Sequence, residues 1–253
     1  SEGPYVRRNF AIQRARAPFI SIQDADDILA PQKLEMLLEE ILRDDALGVV
    51  GSFFGRFIDM FRGPEYCDRL RLQVSHAEIV KNYHRSFYVC WHASAIIRKT
   101  LFEQVGLYDC QPWGSDTFWL AKAAMYGILT GTVRFKNLPE MLTYKREHKK
   151  SQTGTILLNH PNGRRKVLSR YGQQKLMEIA QKARENPGFD VGQAIRNCNC
   201  NDFIPRFGHL FEQWESGAVT QQMIAGLLSK AMHEFCSGYC SDSLISLNSL
   251  CDV

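Results

Sequence analysis

The sequence lacks any uninterrupted apolar run of the roughly 18 residues that a membrane span needs. It also lacks the apolar leader of a signal peptide, internal repeats, low-complexity stretches and the dense cysteine spacing of a disulfide framework. Its eight cysteines are widely scattered, which favours reduced thiols. These absences predict a cytoplasmic protein, and they leave peripheral association with the inner face of a membrane open.

A strong excess of either charge is missing as well. The 31 basic residues outnumber the 27 acidic ones by four, which gives a net charge of +4. This mild excess suits a partner that carries phosphates, but it is too small to predict nucleic-acid binding. Apolar residues, in contrast, make up 45% of the 253 residues, enough for a buried core in one large domain or two small ones.

Two pairs of cysteines are close enough in sequence to raise the question of zinc. Cys198 and Cys200 are separated by one residue, and Cys236 and Cys240 by three. Structural zinc sites usually pair their cysteines as CxxC, a spacing that neither pair has. Structural thiols are therefore the favoured interpretation, and a zinc site is the alternative.

The first part of the chain, residues 1–155, alternates between helical and strand patterns. This order predicts an α/β fold with a mainly parallel sheet. The predicted helices cover 4–16, 31–43, 100–105 and 117–126, and the predicted strands cover 19–23, 47–59, 93–99, 132–138 and 141–147. In the helix over 31–43, the apolar stripe consists of Leu34, Leu37, Leu38, Ile41 and Leu42.

The second part, residues 156–253, has helical spacing of its apolar residues. Two stripes stand out, one over 168–183 and one over 224–235, with a break at Pro187-Gly188. We predict a helical region that packs on the first part. The alternative is a docking surface for a protein partner or a membrane, and the basic cluster Arg164, Arg165 and Lys166 suits either.

The stretch "FISIQDADDILAP" places three carboxylates directly after a predicted buried strand. Ligands of open α/β sheets bind at the carboxyl ends of strands, which is where Asp24, Asp26 and Asp27 lie. A divalent cation makes such a cluster tolerable, and Mg²⁺ or Mn²⁺ usually takes one or two protein carboxylates together with substrate phosphates. A helix cap explains one of the three aspartates but not all of them. The cluster therefore predicts a metal–phosphate site.

Two chemistries use Asp-x-Asp at a strand end: phosphatases of the haloacid dehalogenase type and sugar-nucleotide-dependent glycosyltransferases. The phosphatase motif normally has Thr or Val two residues after its second aspartate, where this sequence has Ile28. No later acidic pair with a suitable lysine is evident either. The phosphatase is therefore the less favoured alternative.

Three blocks of the sequence together resemble family 2 inverting glycosyltransferases of the GT-A fold. The first is "YVRRNFAIQRARAPFISIQDADDILAPQKLEMLLEEI", with an Arg-Asn pair, Asp-x-Asp-Asp and Pro-x-x-Leu in register. The second is "GLYDCQPWGSDTFWLAKAAMYG", and the third is "YKREHKKSQT", with Arg146, His148 and Ser151. The resemblance covers residues 4–153 and implies a partial GT-A mixed sheet with flanking helices.

The resemblance implies a metal and donor site for a nucleotide sugar, with UDP as the expected nucleotide. Asp26 corresponds to the direct ligand of Mn²⁺ or Mg²⁺, and Asp24 to a residue that contacts the donor or the metal. His148 corresponds to a further metal ligand in some members. Arg8 and Arg146 are the implied donor-binding residues.

The resemblance also implies an acceptor side. Asp116 corresponds to the catalytic base, which removes the proton of the acceptor hydroxyl; alternatively it caps the helix that begins at Thr117. The acceptor is expected to be a glycan or a lipid-linked molecule. The implied acceptor-binding residues are Trp113, Ser115, Trp91 and His92.

Two departures from the family pattern affect these expectations. The acidic pair of the family is Ser115-Asp116 here, so the neighbouring glutamate is absent. Family members also begin with a βαβαβ half that holds the nucleotide, whereas this sequence enters directly at the helix before the Asp-x-Asp strand. We therefore expect activity to need that half, and an inactive interaction module is the alternative.

Overall fold

The computed structural model describes residues 4–58, 60–86, 89–109, 114–148 and 164–201. Trp113, Ser151, the Cys236/Cys240 pair and the stripe over 224–235 lie outside the described residues. The described helices are α1 (Pro4–Arg14), α2 (Lys33–Leu42), α3 (His76–Ser86), α4 (Lys99–Val105), α5 (Ser115–Thr130), α6 (Arg164–Glu185) and α7 (Val191–Asn197). None of the helices in these ranges is both long and apolar enough to cross a bilayer.

Six strands form one mixed sheet, which confirms the predicted α/β class. The strands are β1 (Phe19–Ser21), β2 (Ile28–Leu29), β3 (Leu47–Ile58), β4 (Asp68–Leu70), β5 (Ile96–Arg98) and β6 (Arg134–Glu147). Their order is β1-β5-β3-β6-β2, with β4 paired to β3.

The expectation of a mainly parallel sheet was wrong, because β3–β6 is the one parallel pair among the described strands. Parallel neighbours need a crossover of about a dozen residues or more, and the link from β3 to β4 is shorter than that. The chain therefore turns back on itself there, and β4 runs antiparallel to β3.

The two strands predicted over 132–138 and 141–147 are one long strand, β6. It follows β3 from Leu47↔Arg134 to Ile58↔Glu147, with a register shift where Ser52 pairs with Leu138 and Phe53 with Met141. Pro139 lies in the extra residues of that bulge, where its missing N–H costs no ladder bond. Strand β6 continues beyond this bulge, pairs with β2, and ends next to Asp26 and Asp27.

Helices cover both faces of the sheet. On one face α2 packs Leu37 and Ile41 against Val50 and Ile96. The other face carries α1, α3, α4 and α5, whose core includes Trp119.

The C-terminal helices join the second of these cores. Tyr171 and Leu176 of α6 and Ile195 of α7 are fully buried in the cluster that holds α4 and α5. Cys198 and Cys200 are buried, and the N–H of Cys200 donates to Asp109 Oδ2 at 2.6 Å. As far as residue 201, the predicted helical region thus packs on the first part.

Candidate active site

Asp116 lies in the first turn of α5. Gly114, with a left-handed φ of +76°, turns the chain into the helix, a conformation that glycine adopts without steric cost. The backbone N–H of Thr117 donates to Asp116 Oδ1 at 2.8 Å, and the hydroxyl of Tyr5 donates to the same oxygen at 3.1 Å. The start of the helix also favours a negative charge at this position.

The two oxygens of Asp116 differ in their surroundings. Oδ1 receives both of these donors, whereas Oδ2 accepts no hydrogen bond from the described residues. Burial works against the charge of Asp116, but the charge that His92 carries when it is protonated, the N–H of Thr117 and the hydroxyl of Tyr5 together lower its pKa below the ordinary value. The carboxylate is therefore ionised at neutral pH, with one oxygen held by donors and the other open.

Helix α1 connects Asp116 to the aspartate loop. Tyr5 bonds Asp116, and one turn further along the helix Arg8 Nη2 lies 2.7 Å from Asp24 Oδ1. Asn9, next to Arg8, exchanges two hydrogen bonds with the backbone of Tyr108, at 2.8 and 3.0 Å. Residues on one face of α1 thus hold the base candidate and the first aspartate of the Asp-x-Asp motif.

The aspartate loop itself is poor in donors. Asp26 Oδ2 lies 2.9 Å from His148 Nε2, and Asp27 Oδ1 accepts the backbone N–H of Arg146 at 3.0 Å. Asp27 Oδ2 is buried and has no hydrogen-bond partner among the described residues. Burial, together with the charges of Asp24 and Asp26, raises the pKa of Asp27 to about 7. Residues at the end of β6 therefore contact Asp26 and Asp27, but none of the described residues donates a hydrogen bond to Asp27 Oδ2.

Asp24 shares this unfavourable environment. Burial raises its pKa, the charges of Asp116 and Asp26 add to the effect, and Arg8 opposes it. The charge of Asp116 thus acts on Asp24, and Arg8 is close enough to influence both carboxylates. A cation is the natural partner for a group of carboxylates in this state.

The residues fit a cation shared with a substrate, but not a site built from protein ligands alone. Within the described part of the chain, no three His, Cys, Asp or Glu side chains are grouped to hold an ion. Asp26 and His148 supply two candidate ligands, and Mn²⁺ and Mg²⁺ commonly complete their coordination with water and phosphates. Asp27 Oδ2, buried without a partner, adds a reason for positive charge here.

The predicted acceptor-side residues lie in different settings. Trp91 is half-buried, and its ring lies 4.4 Å from that of Phe54. His92 is 4% exposed and its Nε2 bonds the hydroxyl of Tyr108, so this ring is part of the interior behind Asp116. Burial lowers the pKa of His92 to about 4, which keeps the imidazole neutral. Ser115 is buried in the first turn of α5.

The sequence reasoning missed two residues of this site, Tyr5 and Lys33. Tyr5 lies in the block that carries the resemblance, but no local pattern links it to Asp116. Lys33 is 1% exposed and donates from Nζ to the carbonyl of Ala93 at 2.6 Å. Burial lowers its pKa to about 8, and the charges of Asp27 and Asp24 oppose that effect. Its helical spacing with Leu37 and Ile41 could have revealed that Lys33 faces inward.

Comparison with known proteins supports the resemblance. Residues 1–106 match the family described as "Glycosyl transferase family 2". The match includes Arg8 and the aspartate loop and ends before Asp116. No curated protein sequence matches the chain.

Two solved structures show the extent of the structural similarity. Residues 1–349 of S. aureus TarS in complex with UDP-GlcNAc match with 15% identity and a TM-score of 0.49, over 82% of this chain and 54% of that one. The mannosyltransferase PcManGT from Pyrobaculum calidifontis, in complex with GDP-Man and Mn²⁺, matches with 15% identity and a TM-score of 0.42, over 99% and 64%. The chain thus spans about half the length of TarS 1–349.

Proposed function

We propose that the chain carries the acceptor and metal side of a glycosyltransferase that moves a sugar from a nucleotide sugar to a hydroxyl group with inversion. The observation that carries this proposal is the state of Asp116: it is ionised, held through Oδ1 and open at Oδ2. The match of residues 1–106 to glycosyl transferase family 2 supports the substrate class. The acceptor we propose is a glycan or a lipid-linked molecule.

In this mechanism Asp116 acts as the general base. The acceptor hydroxyl gives its proton to Asp116 Oδ2 while its oxygen forms a bond to the anomeric carbon of the donor. The bond between that carbon and the diphosphate oxygen breaks on the opposite side, and the nucleoside diphosphate leaves with the electron pair. A single in-line displacement of this kind inverts the anomeric centre and needs one carboxylate on the acceptor side.

The donor side is assigned to the aspartate loop. Asp26 and His148 would hold Mn²⁺ or Mg²⁺, and Asp24 and Arg8 would orient the donor. When bound, the cation stabilises negative charge on the departing diphosphate. Arg146, at the end of β6 and held through its backbone to Asp27, brings a further positive charge to the same loop.

The test is turnover of the chain joined to the nucleotide-binding half that the family resemblance implies, with Asp116→Asn as the variant. Wild type is incubated with Mn²⁺, glycan acceptors and UDP-GlcNAc, UDP-glucose or GDP-mannose, and the anomeric configuration of the product is read by NMR. We expect Asp116→Asn to bind the nucleotide but to lose about 10²-fold or more in rate. Asp190→Asn is the matched control, because Asp190 also accepts a hydrogen bond at the start of a helix: the backbone N–H of Gln193 donates to Asp190 Oδ1 at 2.8 Å.

Two outcomes contradict the proposal in different ways. Near-normal turnover by Asp116→Asn would show that another group is the base. Binding of nucleotide without any transfer or donor hydrolysis by wild type would favour the inactive interaction module.

A further inference from the structure

The hydroxyl of Tyr5 occupies one oxygen of the base. A general base needs a lone pair that points to the acceptor, and a carboxylate has two oxygens that can compete for that role. Tyr5 and the Thr117 N–H both donate to Oδ1, so that oxygen is already engaged before any acceptor arrives. Oδ2 accepts nothing from the described residues and is not among the buried atoms that lack a partner.

We propose that Tyr5 is a positioning residue that fixes the carboxylate plane of Asp116 through Oδ1 and thereby makes Oδ2 the atom that takes the acceptor proton. This inference rests on the proposed function of Asp116 as the base. Tyr5 does not touch the reacting atoms. It acts through Asp116, whose proton uptake at Oδ2 accompanies bond formation between the acceptor oxygen and the anomeric carbon.

The position of Tyr5 is well determined by its surroundings. Its side chain is 6% exposed, and its ring lies 5.9 Å from that of Tyr108. Asn9, one turn further along α1, holds the backbone of Tyr108 through two hydrogen bonds. A hydroxyl held by a buried ring on an anchored helix loses little freedom when it donates, which is the condition for effective positioning.

Helix α1 also ties the base to the donor side. Tyr5 and Arg8 are three residues apart and therefore lie on one face of the helix, where Tyr5 reaches Asp116 and Arg8 reaches Asp24. The guanidinium of Arg8 lies 5.3 Å from the ring of Tyr5, which couples the two contacts. The distance between the base and the first aspartate is therefore set by one rigid element rather than by two loops.

The proposal predicts a change in the ionisation of Asp116. A hydroxyl that donates to a carboxylate favours its charged form, so removal of the Tyr5 hydroxyl raises the pKa of Asp116. The other titratable or charged groups that face Asp116 are Arg8 on α1, Asp24 after β1, His92 before β5 and Tyr108 before α5. None of these is altered in Tyr5→Phe.

The experiment is a carboxyl ¹³C NMR titration of the full chain, with the Asp116 resonance assigned by its loss in Asp116→Asn. We expect Tyr5→Phe to raise the pKa of Asp116 by about one unit, the scale of one charge-assisted hydrogen bond. Tyr83→Phe is the matched control: its hydroxyl is also buried but donates to the carbonyl of Ala121, at 2.6 Å. We expect it to leave the titration of Asp116 unchanged.

A second measurement needs no variant at Tyr5. In wild type, the ¹³Cζ resonance of Tyr5 is expected to change its chemical shift over the pH range in which Asp116 titrates. This pH-dependent change is expected to vanish in Asp116→Asn. An unchanged Asp116 titration in Tyr5→Phe, or a Tyr5 resonance that does not follow Asp116, would overturn the proposal. Neither readout depends on turnover, so these results are separate from the test of Asp116 as the base.

Discussion

Asp116 and Asp27 are carboxylates of one site in opposite environments. Asp116 receives a hydroxyl and a backbone N–H on one oxygen, and its pKa is lowered despite burial. Asp27 receives one backbone N–H and has a buried oxygen that finds no partner in the described part of the chain. Its burial and the two neighbouring aspartates raise its pKa to about 7. Burial raises the pKa of both carboxylates, and the donors and neighbouring charges around each one decide the net direction of its shift.

In the proposed mechanism, the difference suits the two regions to separate tasks. A carboxylate that is ionised by its own donors is ready to accept a proton at neutral pH without further ligands. A carboxylate without enough donors needs a proton or a cation, and it is stabilised when either arrives. The region around Asp116 is therefore preorganised for proton transfer, whereas the aspartate loop is preorganised to gain positive charge.

The largest expected effect tests the aspartate loop. Removal of a direct ligand should weaken the joint binding of Mn²⁺ and UDP by about 100-fold or more, since even indirect partners of metal ligands affect affinity by 10–100-fold. We therefore expect isothermal titration calorimetry with Mn²⁺ plus UDP to show little binding by Asp26→Ala. We expect a smaller loss for His148→Ala, which removes the partner of Asp26 at 2.9 Å.

Asp68→Ala is the matched control for this measurement. Asp68 is an exposed aspartate on β4, paired with Arg56 at 3.5 Å, and its loss changes the net charge by the same amount. Equal affinity of wild type and Asp26→Ala for Mn²⁺ plus UDP would show that the metal does not bind at the aspartate loop. The task proposed for that region would then be wrong.

Much of the site could be predicted from sequence because its parts are local motifs. The aspartate loop and Asp116 each follow a recognisable pattern, and in the structure the charge of Arg8 influences both Asp24 and Asp116. Tyr5 could not be predicted in this way. It is 111 residues from Asp116, and its hydrogen bond depends on how α1 packs against α5.

Helix α2 shows the corresponding limit for the fold. Periodicity predicted an apolar stripe that includes Leu34, Leu38 and Leu42, but these are 53%, 38% and 58% exposed. The buried face is instead Lys33, Leu37 and Ile41. Two adjacent faces of this helix are apolar at helical spacing, so periodicity alone does not tell which of them is buried. Hydropathy would place the face with Lys33 towards solvent, but that face is the buried one.

The next effect in size sharpens the comparison through protein stability. The raised pKa of Asp27 means that the folded state keeps a proton that the unfolded state has lost, so the free energy of unfolding falls as the pH rises from about 4 to about 7. We therefore expect Asp27→Asn to be more stable than wild type at pH 8, by about 1 kcal/mol after allowance for solvent screening, and equal to it near pH 4.

Asp116→Asn is expected to have the opposite sign. The lowered pKa of Asp116 contributes stability that is present above the unfolded value and is lost as the pH falls through the folded one. The variant should be less stable than wild type at pH 8, by about 1 kcal/mol, and the gap should close in acid. Urea denaturation at pH 4, 6 and 8 measures both variants, and the same sign for both would break the comparison.

The smallest expected effect concerns the acceptor side, where Trp91 is half-buried and precedes His92, whose ring lies behind Asp116. Trp91→Phe keeps an aromatic ring against Phe54 but offers a sugar a smaller face. Aromatic contacts are worth about 0.5–1.5 kcal/mol, so this partial loss should raise the acceptor KM about threefold and leave kcat nearly unchanged, since Asp116 is not disturbed.

Trp119→Phe is the control, because Trp119 is 1% exposed in the core and its change should lower the melting temperature without altering KM. An unchanged KM in Trp91→Phe would remove Trp91 from the acceptor site, whereas a fall in kcat would mean that the region around Asp116 is less rigid than its hydrogen bonds indicate.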